Sequence, residues 1–507
     1  MKILSVTQIR DADAFTIEHE PITSIDLMER ASGKFVKWFC ENFNERNKPI
    51  KIFCGLGDNG GDGLAIARML HQLGYDLDVF VLQYSTKSSE KFQLNLEKLK
   101  KQLDIQVFDN EGINIEIDNN DLIIDAIFGL GLSRPLEGLV KSIVEQLNGS
   151  GVQIISVDMP TGLMADSLNV TADTIIKATH TVSFQLPKLA FMLPQNAEFV
   201  GDWHVVDISL NQEFIQEAKT KYYYSTPKEV ETLIKPRKKF SHKGTFGHGL
   251  LIAGSYGMMG AAVLSARACM RSGIGKLTVH SIPAGLQIMQ MLLPEAMYWE
   301  TSAGESTDFI NTDFQAEYLS ERFQAVGIGP GIGVNEKIGE SVENLCEICE
   351  KLVIPLVIDA DALNNFSSER GRKSMRKIPK NSILTPHPKE FQKLINKNWK
   401  DDYEKLSLLS QFAIDQQVIV CLKGANTAVA LPDGTIHFNS SGNAGMAKAG
   451  SGDVLTGMIL ALLAQGYAPQ EAAISGVYQH GLAGDKAAKK FGVNSMIASD
   501  IIESIKF

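Results

Sequence analysis

Residues 51–66, which read KIFCGLGDNGGDGLAI, decide the fold of the first half of the chain. A short apolar run at residues 50–55 is followed by a glycine-rich loop and then by a helical stretch at residues 64–73. Residues 55–60 fit the spacing G-x-G-x-x-G, in which backbone N–H groups at a helix N-terminus hold a pyrophosphate. Because the loop lies between a strand and a helix, it predicts the first unit of a parallel α/β sheet.

The same alternation of apolar run, glycine or aspartate loop and helical stretch recurs along the whole chain. It predicts a parallel sheet covered by helices on both faces. The predicted strands of the first half are residues 50–55, 78–82, 122–128 and 153–157, and its predicted helices are residues 7–18, 26–43, 64–73 and 91–103. The predicted strands of the second half are residues 250–253, 276–280, 324–327, 352–358, 382–384 and 418–422, followed by a hairpin of residues 427–431 and 435–438.

The alternation lapses into a polar segment at residues 207–224. The two halves show no common repeat, so we expect two different α/β domains, residues 1–220 and residues 221–507. Five basic residues follow the predicted boundary, and they indicate either a solvated joint or a patch that attracts phosphate: Lys235, Arg237, Lys238, Lys239 and Lys243.

Composition excludes several classes of protein. The 507 residues include 49 Lys and Arg against 59 Asp and Glu, and the net charge of −10 argues against a nucleic-acid partner. No apolar run approaches the roughly 20 residues that span a bilayer, and the polar N-terminus does not resemble a signal peptide. Six cysteines give no disulfide framework, and we interpret Cys346 and Cys349 as helix-packing residues. We therefore expect a soluble, cytoplasmic protein with no membrane partner.

Polar residues follow three predicted strands of the first half. Asn59 lies in the first loop, Asp125 follows the strand at 122–128, and Asp158 and Thr161 follow the strand at 153–157. Parallel strands bring such ends to one edge of a sheet, where ligands bind. Amide, carboxylate and hydroxyl oxygens suit a hard cation, whereas the alternative is that each aspartate only caps a helix or forms a turn.

The second half carries an anion-binding pattern. Gly450, Ser451 and Gly452 precede a long apolar helix, so consecutive backbone N–H groups can surround a phosphoryl group. Asp453 in the first turn is interpreted as a base for a substrate hydroxyl, with helix capping as the alternative. The loop that starts at Lys423 suits nucleotide phosphates.

The first half resembles the NAD(P)H-hydrate epimerase family in GLGDNGGDG (55–63), DAIFGLG (125–131), VDMPTG (157–162) and the helix SIDLMERAS (24–32). The resemblance implies a Rossmann-like three-layer αβα domain. It implies that Asn59, Asp125 and Thr161 hold K⁺ and that Asp158 is the acid/base that interconverts the C6 epimers of hydrated nicotinamide. The implied substrate contacts are Asp58, Asn59, Gly60, Gly61, Asp62, Gly129, Leu130, Gly131, Leu132, Ser133, Arg134 and Pro135. Two residues depart from the family pattern: Asp58 replaces an asparagine and Thr161 a serine.

The second half resembles the ribokinase-like superfamily, and within it the ADP/ATP-dependent NAD(P)H-hydrate dehydratases, in HKGTFGHGLLIAGS (242–255), GIGPGIG (327–333), LTPHPKEF (384–391), CLKGANT (421–427) and AGSGDVLTG (449–457). The resemblance implies a ribokinase-like αβα domain in which Asp453 deprotonates the C6 hydroxyl for phosphorylation. It implies hydrate contacts at Ala261, Gly331, His387 and Asp453, and nucleotide contacts at Lys423, Gly424, Ala425, Asn426, Thr427 and Gly452. Mg²⁺ is expected with the phosphoryl donor ADP. Lys389 stands where the family usually has glycine.

Taken together, these resemblances predict a bifunctional metabolite-repair enzyme. Its partners would be the small molecules NADHX or NADPHX and ADP, and we expect a homo-oligomer. One alternative is a small-molecule kinase fused to a dinucleotide-binding domain. Another is that the first half is a binding or scaffold module without catalysis.

Overall fold

The computed structural model describes residues 1–44, 46, 48–109, 114–169, 173–301 and 316–507. It divides into two compact units. The first unit contains residues 2–220 and 401–403, and the second contains Met1, residues 221–400 and residues 404–507.

The first unit alternates strands and helices. Its strands are β1 (Lys2–Ile3), β2 (Ile50–Cys54), β3 (Leu77–Leu82), β4 (Ile105–Phe108), β5 (Leu122–Ala126), β6 (Gln153–Val157), β7 (His180–Phe184) and β8 (Asp202–Val206). Its helices are α1 (Val6–His19), α2 (Ser24–Asn42), α3 (Asp58–Gln72), α4 (Glu90–Lys100), α5 (Gly138–Gly149), α6 (Ala197–Val200) and α7 (Gln212–Glu217).

Seven strands form one parallel sheet in the order β4-β3-β2-β5-β6-β7-β8. This is the doubly wound order of Rossmann-like folds, and the strand order reverses between β2 and β5. The predicted parallel α/β fold of the first half is confirmed, and the four predicted strands are β2, β3, β5 and β6. The polar segment at residues 207–224, where the alternation lapses in the sequence, contains α7 and the start of a strand at Tyr222. The helix α7 is too short to produce a recognisable apolar period.

Glycines of the first loop allow α3 to approach the sheet closely. A Cβ on Gly60 would lie 1.8 Å from the carbonyl oxygen of Gly55. A Cβ on Gly63 would lie 2.5 Å from the Cβ of Ala126 and 2.8 Å from the Sγ of Cys54. No side chain fits at these distances, so the glycine pattern fixes the helix against β2 and β5.

The second unit begins at β9. Its strands are β9 (Tyr222–Ser225), β10 (His248–Ile252), β11 (Lys276–Ser281), β12 (Met297–Glu300), β13 (Ala325–Ile328), β14 (Leu356–Ile358), β15 (Ile383–Leu384), β16 (Ile419–Leu422), β17 (Ala428–Ala430) and β18 (Ile436–Asn439). Its helices are α8 (Pro227–Leu233), α9 (Met259–Arg271), α10 (Gly285–Leu292), α11 (Ala316–Arg322), α12 (Glu336–Leu352), α13 (Ala360–Phe366), α14 (Glu369–Ser374), α15 (Pro388–Ile395), α16 (Asp402–Gln416), α17 (Ser451–Ala464), α18 (Pro469–Phe491) and α19 (Ala498–Ser504).

These strands form a second sheet in the order β9-β18-β17-β16-β15-β14-β13-β10-β11-β12. The pairs are parallel except for β16 with β17 and β17 with β18, which are antiparallel. The predicted α/β fold and the predicted hairpin, β17 and β18, are therefore confirmed. The apolar helix α17 is buried along almost its whole length and packs against the same core as α9.

Two negative findings concern the described residues only. None of their helices is long and apolar enough to cross a membrane. Cys346 and Cys349 are buried in α12, as predicted, and no cluster of three or more His, Cys, Asp or Glu side chains in the described ranges could hold a metal ion.

Candidate active sites

A cavity of about 440 Å³ lies at the carboxyl ends of β2, β5 and β6, next to the point where the strand order reverses. The loops after β2 and β5 and the helix α1 form much of its wall. Seven predicted site residues line this cavity: Asp58, Asn59, Asp62, Gly129, Leu130, Gly131 and Asp158. Gly60 and Gly61 are not among its lining residues, because both are buried against the protein interior.

Asp125 and Thr161 form a buried hydrogen-bonded pair at the ends of β5 and β6. The Thr161 hydroxyl donates to Asp125 Oδ1 at 2.6 Å, and the Thr161 backbone N–H donates to Asp125 Oδ2 at 2.9 Å. The Ser156 hydroxyl donates to the same Oδ2 at 2.8 Å. Burial raises the pKa of the Asp125 carboxyl group, although these hydrogen bonds oppose the rise.

Asn59, the third residue of the predicted cation site, lies beside the loop that follows β5. Its side-chain oxygen lies next to Gly129, and its buried Nδ2 has no hydrogen-bond partner among the described residues. The carbonyl oxygen of Phe128 lies 3.2 Å from the Thr161 hydroxyl. Amide, hydroxyl, carbonyl and carboxylate oxygens thus occur together with a buried negative charge, and this donor set fits a potassium ion.

Asp158 has an unusual backbone conformation, and a buried lysine contacts its carboxylate. Its φ is +64°, which is rare for a residue with a side chain. Its Oδ1 accepts hydrogen bonds from Lys188 Nζ at 2.7 Å, from the Phe184 N–H at 3.0 Å and from the Ser183 hydroxyl at 3.2 Å. Lys188 also lines the cavity, and the sequence analysis missed it.

The two acidic residues of the first loop are already engaged. Asp58 forms an ion pair with Lys91 at 2.5 Å. Asp62 accepts a hydrogen bond from the Ser32 hydroxyl at 3.2 Å, and burial, followed by repulsion from Asp158, raises its pKa well above the usual value. The charge of Asp58 is therefore compensated by a basic residue of α4.

A second, larger cavity of about 880 Å³ adjoins the first one. Phe128 and Gly131 line both cavities, and the ring centroid of Tyr84 lies 5.1 Å from that of Phe128. The remaining predicted contacts line this second cavity: Leu132, Ser133, Arg134 and Pro135. The predicted substrate loop therefore spans two neighbouring cavities, which suits an extended ligand such as a dinucleotide.

In the second unit, a cavity of about 640 Å³ lies at the start of α17. Gly450 precedes the helix with a φ of +89°, and Ser451 and Gly452 line the cavity. Five further predicted residues also line it: His387, Lys423, Gly424, Ala425 and Thr427. The helix N-terminus and the lysine together make this cavity suitable for phosphate groups.

Asp359, at the end of β14, connects the lysine loop to α17. Its Oδ1 lies 3.1 Å from Lys423 Nζ, and its Oδ2 accepts a hydrogen bond from the Thr456 hydroxyl at 2.6 Å. Burial by itself would lower the pKa of Lys423, but the carboxylates of Asp359 and Glu390 outweigh it and raise the pKa. The ammonium group therefore stays charged next to Gly452. The sequence analysis did not single out Asp359.

Asp453 lies one residue beyond Gly452 and does not line the same cavity. Burial raises the pKa of Asp453 to about 6, and repulsion from Asp359 adds to the effect while Lys423 opposes it. A carboxylate with such a pKa is suited to accept a proton near neutral pH.

The other predicted hydrate contacts form two groups. Gly331 has a φ of +66°, and a Cβ on it would lie 3.3 Å from the Cβ of Ala261, so these two residues lie side by side. His387 caps α15, because its Nδ1 accepts hydrogen bonds from the N–H groups of Lys389 and Glu390 at 3.1 and 3.2 Å. Lys389 has no positive φ, so its position does not require glycine.

Comparisons with known proteins cover both halves of the chain. Residues 24–190 match the family described as "YjeF-related protein N-terminus", and residues 249–506 match the family described as "NAD(P)H-hydrate dehydratase". The bifunctional NAD(P)H-hydrate repair enzyme Nnr of Thermofilum pendens is 34% identical over 503 residues, which cover 98% of this chain and 94% of that protein. The Nnr enzyme of Moorella thermoacetica is also 34% identical, over 100% of this chain and 96% of that protein.

Among solved structures, the ADP/ATP-dependent NAD(P)H-hydrate dehydratase of Bacillus subtilis, co-crystallised with ATP and Mg²⁺, matches with a TM-score of 0.49. It is 31% identical and covers 56% of this chain and 96% of its own. The full-length similarity to the Nnr enzymes is what decides the assignment. On that basis, the chain belongs to the family of bifunctional NAD(P)H-hydrate repair enzymes.

Proposed function

We propose that residues 1–220 form an epimerase domain for NAD(P)H hydrate and that residues 221–507 form an ADP-dependent dehydratase domain. The first interconverts the R and S forms of the hydrate at C6. The second converts the S form to NADH or NADPH and turns ADP into AMP and phosphate. The observation that carries this proposal is that each unit has its own cavity with an aspartate at or next to its lining. Asp158 lines the cavity of the first unit, and Asp453 directly follows Gly452, which lines the cavity of the second.

In the first unit, Asp158 moves a proton at the C6 hydroxyl. Its Oδ1 is occupied by the hydrogen bonds from Lys188, Ser183 and Phe184, whereas its Oδ2 accepts none from the described residues. The carboxylate is therefore fixed by one oxygen and free to react through the other. Asn59, Asp125 and Thr161 would hold K⁺, which supplies a fixed positive charge beside a polar substrate.

In the second unit, Asp453 takes the proton of the C6 hydroxyl, the oxygen attacks the terminal phosphoryl group of ADP, and the bond to the bridging oxygen breaks so that AMP leaves. Lys423 and the backbone around Gly452 bind the phosphates and stabilise the charge that develops on them. The new phosphate ester then leaves C6 with the bonding electrons, and loss of the C5 proton restores the dihydronicotinamide ring. Mg²⁺, when bound, would neutralise part of the nucleotide's charge.

The test uses the purified full chain with a mixture of both hydrate epimers, Mg²⁺ and either ADP or ATP. We expect the absorbance of reduced nicotinamide to return for the whole mixture. Asp158→Asn should restore only the S fraction, beyond the slow uncatalysed interconversion, and Asp453→Asn should restore none while still interconverting the epimers. If the absorbance of reduced nicotinamide fails to return both with ADP and with ATP, the proposal is wrong. A stable phosphorylated product would favour a small-molecule kinase.

The role of K⁺ has its own test. Epimerisation by the full chain is measured in potassium buffer and in buffer with tetramethylammonium as the only cation. We expect the epimerisation rate of the native chain to fall without K⁺. Thr161→Val should be slow in both buffers, whereas the rate of Thr161→Ser should still depend on K⁺. Equal epimerisation rates of the native chain in the two buffers would exclude a role of K⁺ in the reaction.

A further inference from the structure

Asp13 and Asp158 line the cavity of the first unit from different secondary-structure elements. Asp13 lies on α1, whereas Asp158 follows β6, and both line the 440 Å³ cavity. Ile9 and Ile17, four residues before and after Asp13, line the same cavity. Residues four apart share one face of a helix, so Asp13 presents its carboxyl group from an apolar stripe.

The carboxyl group of Asp13 is unengaged. Within the part of the chain that the structure describes, it makes no hydrogen bond and no ion pair. The other two aspartates of the same wall differ from it, because Asp58 is paired with Lys91 and Asp62 accepts from Ser32. Asp13 therefore differs from Asp58 and Asp62, because both of its carboxyl oxygens are available to a ligand in this cavity.

The surroundings of Asp13 also favour its protonated form. Burial raises the pKa of Asp13 to about 6, and repulsion from Asp158 and Asp58 adds to this, whereas Lys188 and Lys91 oppose it. Arg10 is a further charged residue in the lining. Two carboxyl groups in one cavity, one bonded to a buried lysine and one partly buried without a bonded partner among the described residues, are an arrangement that separates an acid from a base.

We propose that Asp13 is the second catalytic residue of the epimerisation and works with Asp158 on the opposite face of C6. This inference rests on the proposed epimerase function and names the partner group that the reaction needs. A carbon that bears a hydroxyl and a ring nitrogen can invert when the hydroxyl leaves on one face and water adds on the other.

The step is balanced in atoms and electrons. For one epimer, Asp13 donates its proton to the C6 hydroxyl, the C6–O bond breaks with its electron pair on the departing water, and the lone pair of N1 forms the N1=C6 bond. A water on the opposite face then adds to C6, its electron pair forms the new C6–O bond, and its proton goes to Asp158. The other epimer uses the two aspartates in the reverse order, so the pair holds one proton before and after each turnover and none at the N1=C6 intermediate.

The test compares Asp13→Asn, Asp13→Glu and Asp11→Asn in the full chain. Asp11 is exposed on the same helix and does not line the cavity, so its variant is a matched control. A pure epimer is incubated without nucleotide, interconversion is followed by chromatography, and the uncatalysed rate is subtracted. Thermal unfolding and binding of the hydrate are measured on the same samples.

We expect Asp13→Asn to reduce kcat by about 100-fold or more with little change in hydrate affinity, since general acid catalysis typically contributes 10²–10⁴-fold. Asp13→Glu should recover part of the rate, and Asp11→Asn should stay within about twofold of the native rate. The native kcat should fall as the pH rises above about 6, where Asp13 loses its proton, and Asp13→Asn should lose this limb of the profile.

The outcomes separate this inference from the proposed function. If the native chain interconverts the epimers and Asp13→Asn keeps both its rate and its pH profile, the role of Asp13 is wrong and the epimerase function stands. If the native chain does not interconvert them at all, the epimerase function itself fails. If Asp13→Asn does not fold, a partial rate in Asp13→Glu that still falls as the pH rises supports the role of a carboxyl group at this position. A folded Asp13→Glu whose rate does not change with pH overturns it.

Discussion

Lys188 Nζ lies 2.7 Å from Asp158 Oδ1, and the two side chains are 1% and 10% exposed. The lysine also donates to the Ser183 hydroxyl at 2.6 Å and to the carbonyl oxygens of Phe184 and Leu186, both at 3.1 Å. All the donors of this ammonium group are therefore used inside the protein. Such a pair fixes one orientation of the Asp158 carboxylate, as the proposed role in epimerisation requires.

Replacing Lys188 with methionine should destabilise the protein and stop epimerisation. The change leaves the Asp158 carboxylate buried without its counter-charge, and breaking a buried ion pair costs about 3–5 kcal/mol. Lys177 provides the control, since its ion pair with Glu198 at 2.9 Å is exposed on both sides. Lys177→Met should change the free energy of unfolding by less than about 1 kcal/mol. Urea unfolding of both variants measures the difference, and equal stabilities would contradict the structural role of the buried pair.

Dehydration of the S epimer should depend on pH through Asp453. Burial raises the pKa of this carboxyl group to about 6, and a base must be ionised to accept a proton. We therefore expect kcat to rise about tenfold per pH unit well below pH 6 and to become constant above it. The measurement is kcat at saturating ADP and hydrate between about pH 4.5 and 8. A rate that does not change across this range would exclude Asp453 as the base.

The elements that the sequence predicted correctly are those with continuous apolar runs. Residues 122–126 and 153–157 are buried almost throughout, and such runs indicate central parallel strands. The strand β7 was not predicted because its polar residues hide the pattern. Thr181 donates to the carbonyl oxygen of Val200 at 2.7 Å, and Ser183 contacts Asp158 and Lys188. These hydrogen bonds make burial of the hydroxyls possible, and only the folded chain provides them.

The site residues also divide into those that a local sequence motif indicates and those that only the folded chain identifies. Motifs after strands indicated Asn59, Asp125 and Asp158, because each lies at a predictable edge of the sheet. Lys188 had no such signal, since its partner is 30 residues away in the sequence and a lone lysine usually lies on the surface. Asp359 could have been found, because it directly follows a predicted strand. Its role depends on Thr456 and Lys423, which only tertiary structure brings to it.

Replacing Thr456 with valine should weaken nucleotide binding. The change removes the 2.6 Å hydrogen bond to Asp359 and leaves one oxygen of a buried carboxylate without its partner. Hydrogen bonds to charged groups contribute about 1.5–3 kcal/mol, so we expect a loss of about 2 kcal/mol in stability and a higher KM for ADP. Thr435→Val removes a similar bond to Asp433, at 2.7 Å in an exposed turn, and should change neither quantity. If both variants behave alike, Asp359 does not position the nucleotide loop.

Replacing Gly331 with alanine should raise the KM for the hydrate without a comparable rise in the KM for ADP. Gly331 has a φ of +66°, and an added Cβ would lie 2.9 Å from the carbonyl oxygen of Met258 and 3.3 Å from the Cβ of Ala261. Gly466 is the matched control, because its φ is +79° and nothing lies within 4 Å of its Cβ position. Both substitutions place alanine in the left-handed region and should lose about 1 kcal/mol of stability. Only Gly331→Ala displaces neighbouring residues, so a rise of about tenfold in the KM for the hydrate is expected for this variant alone. Steady-state kinetics with the S epimer compare the two, and equal KM values would show that this glycine does not shape the hydrate site.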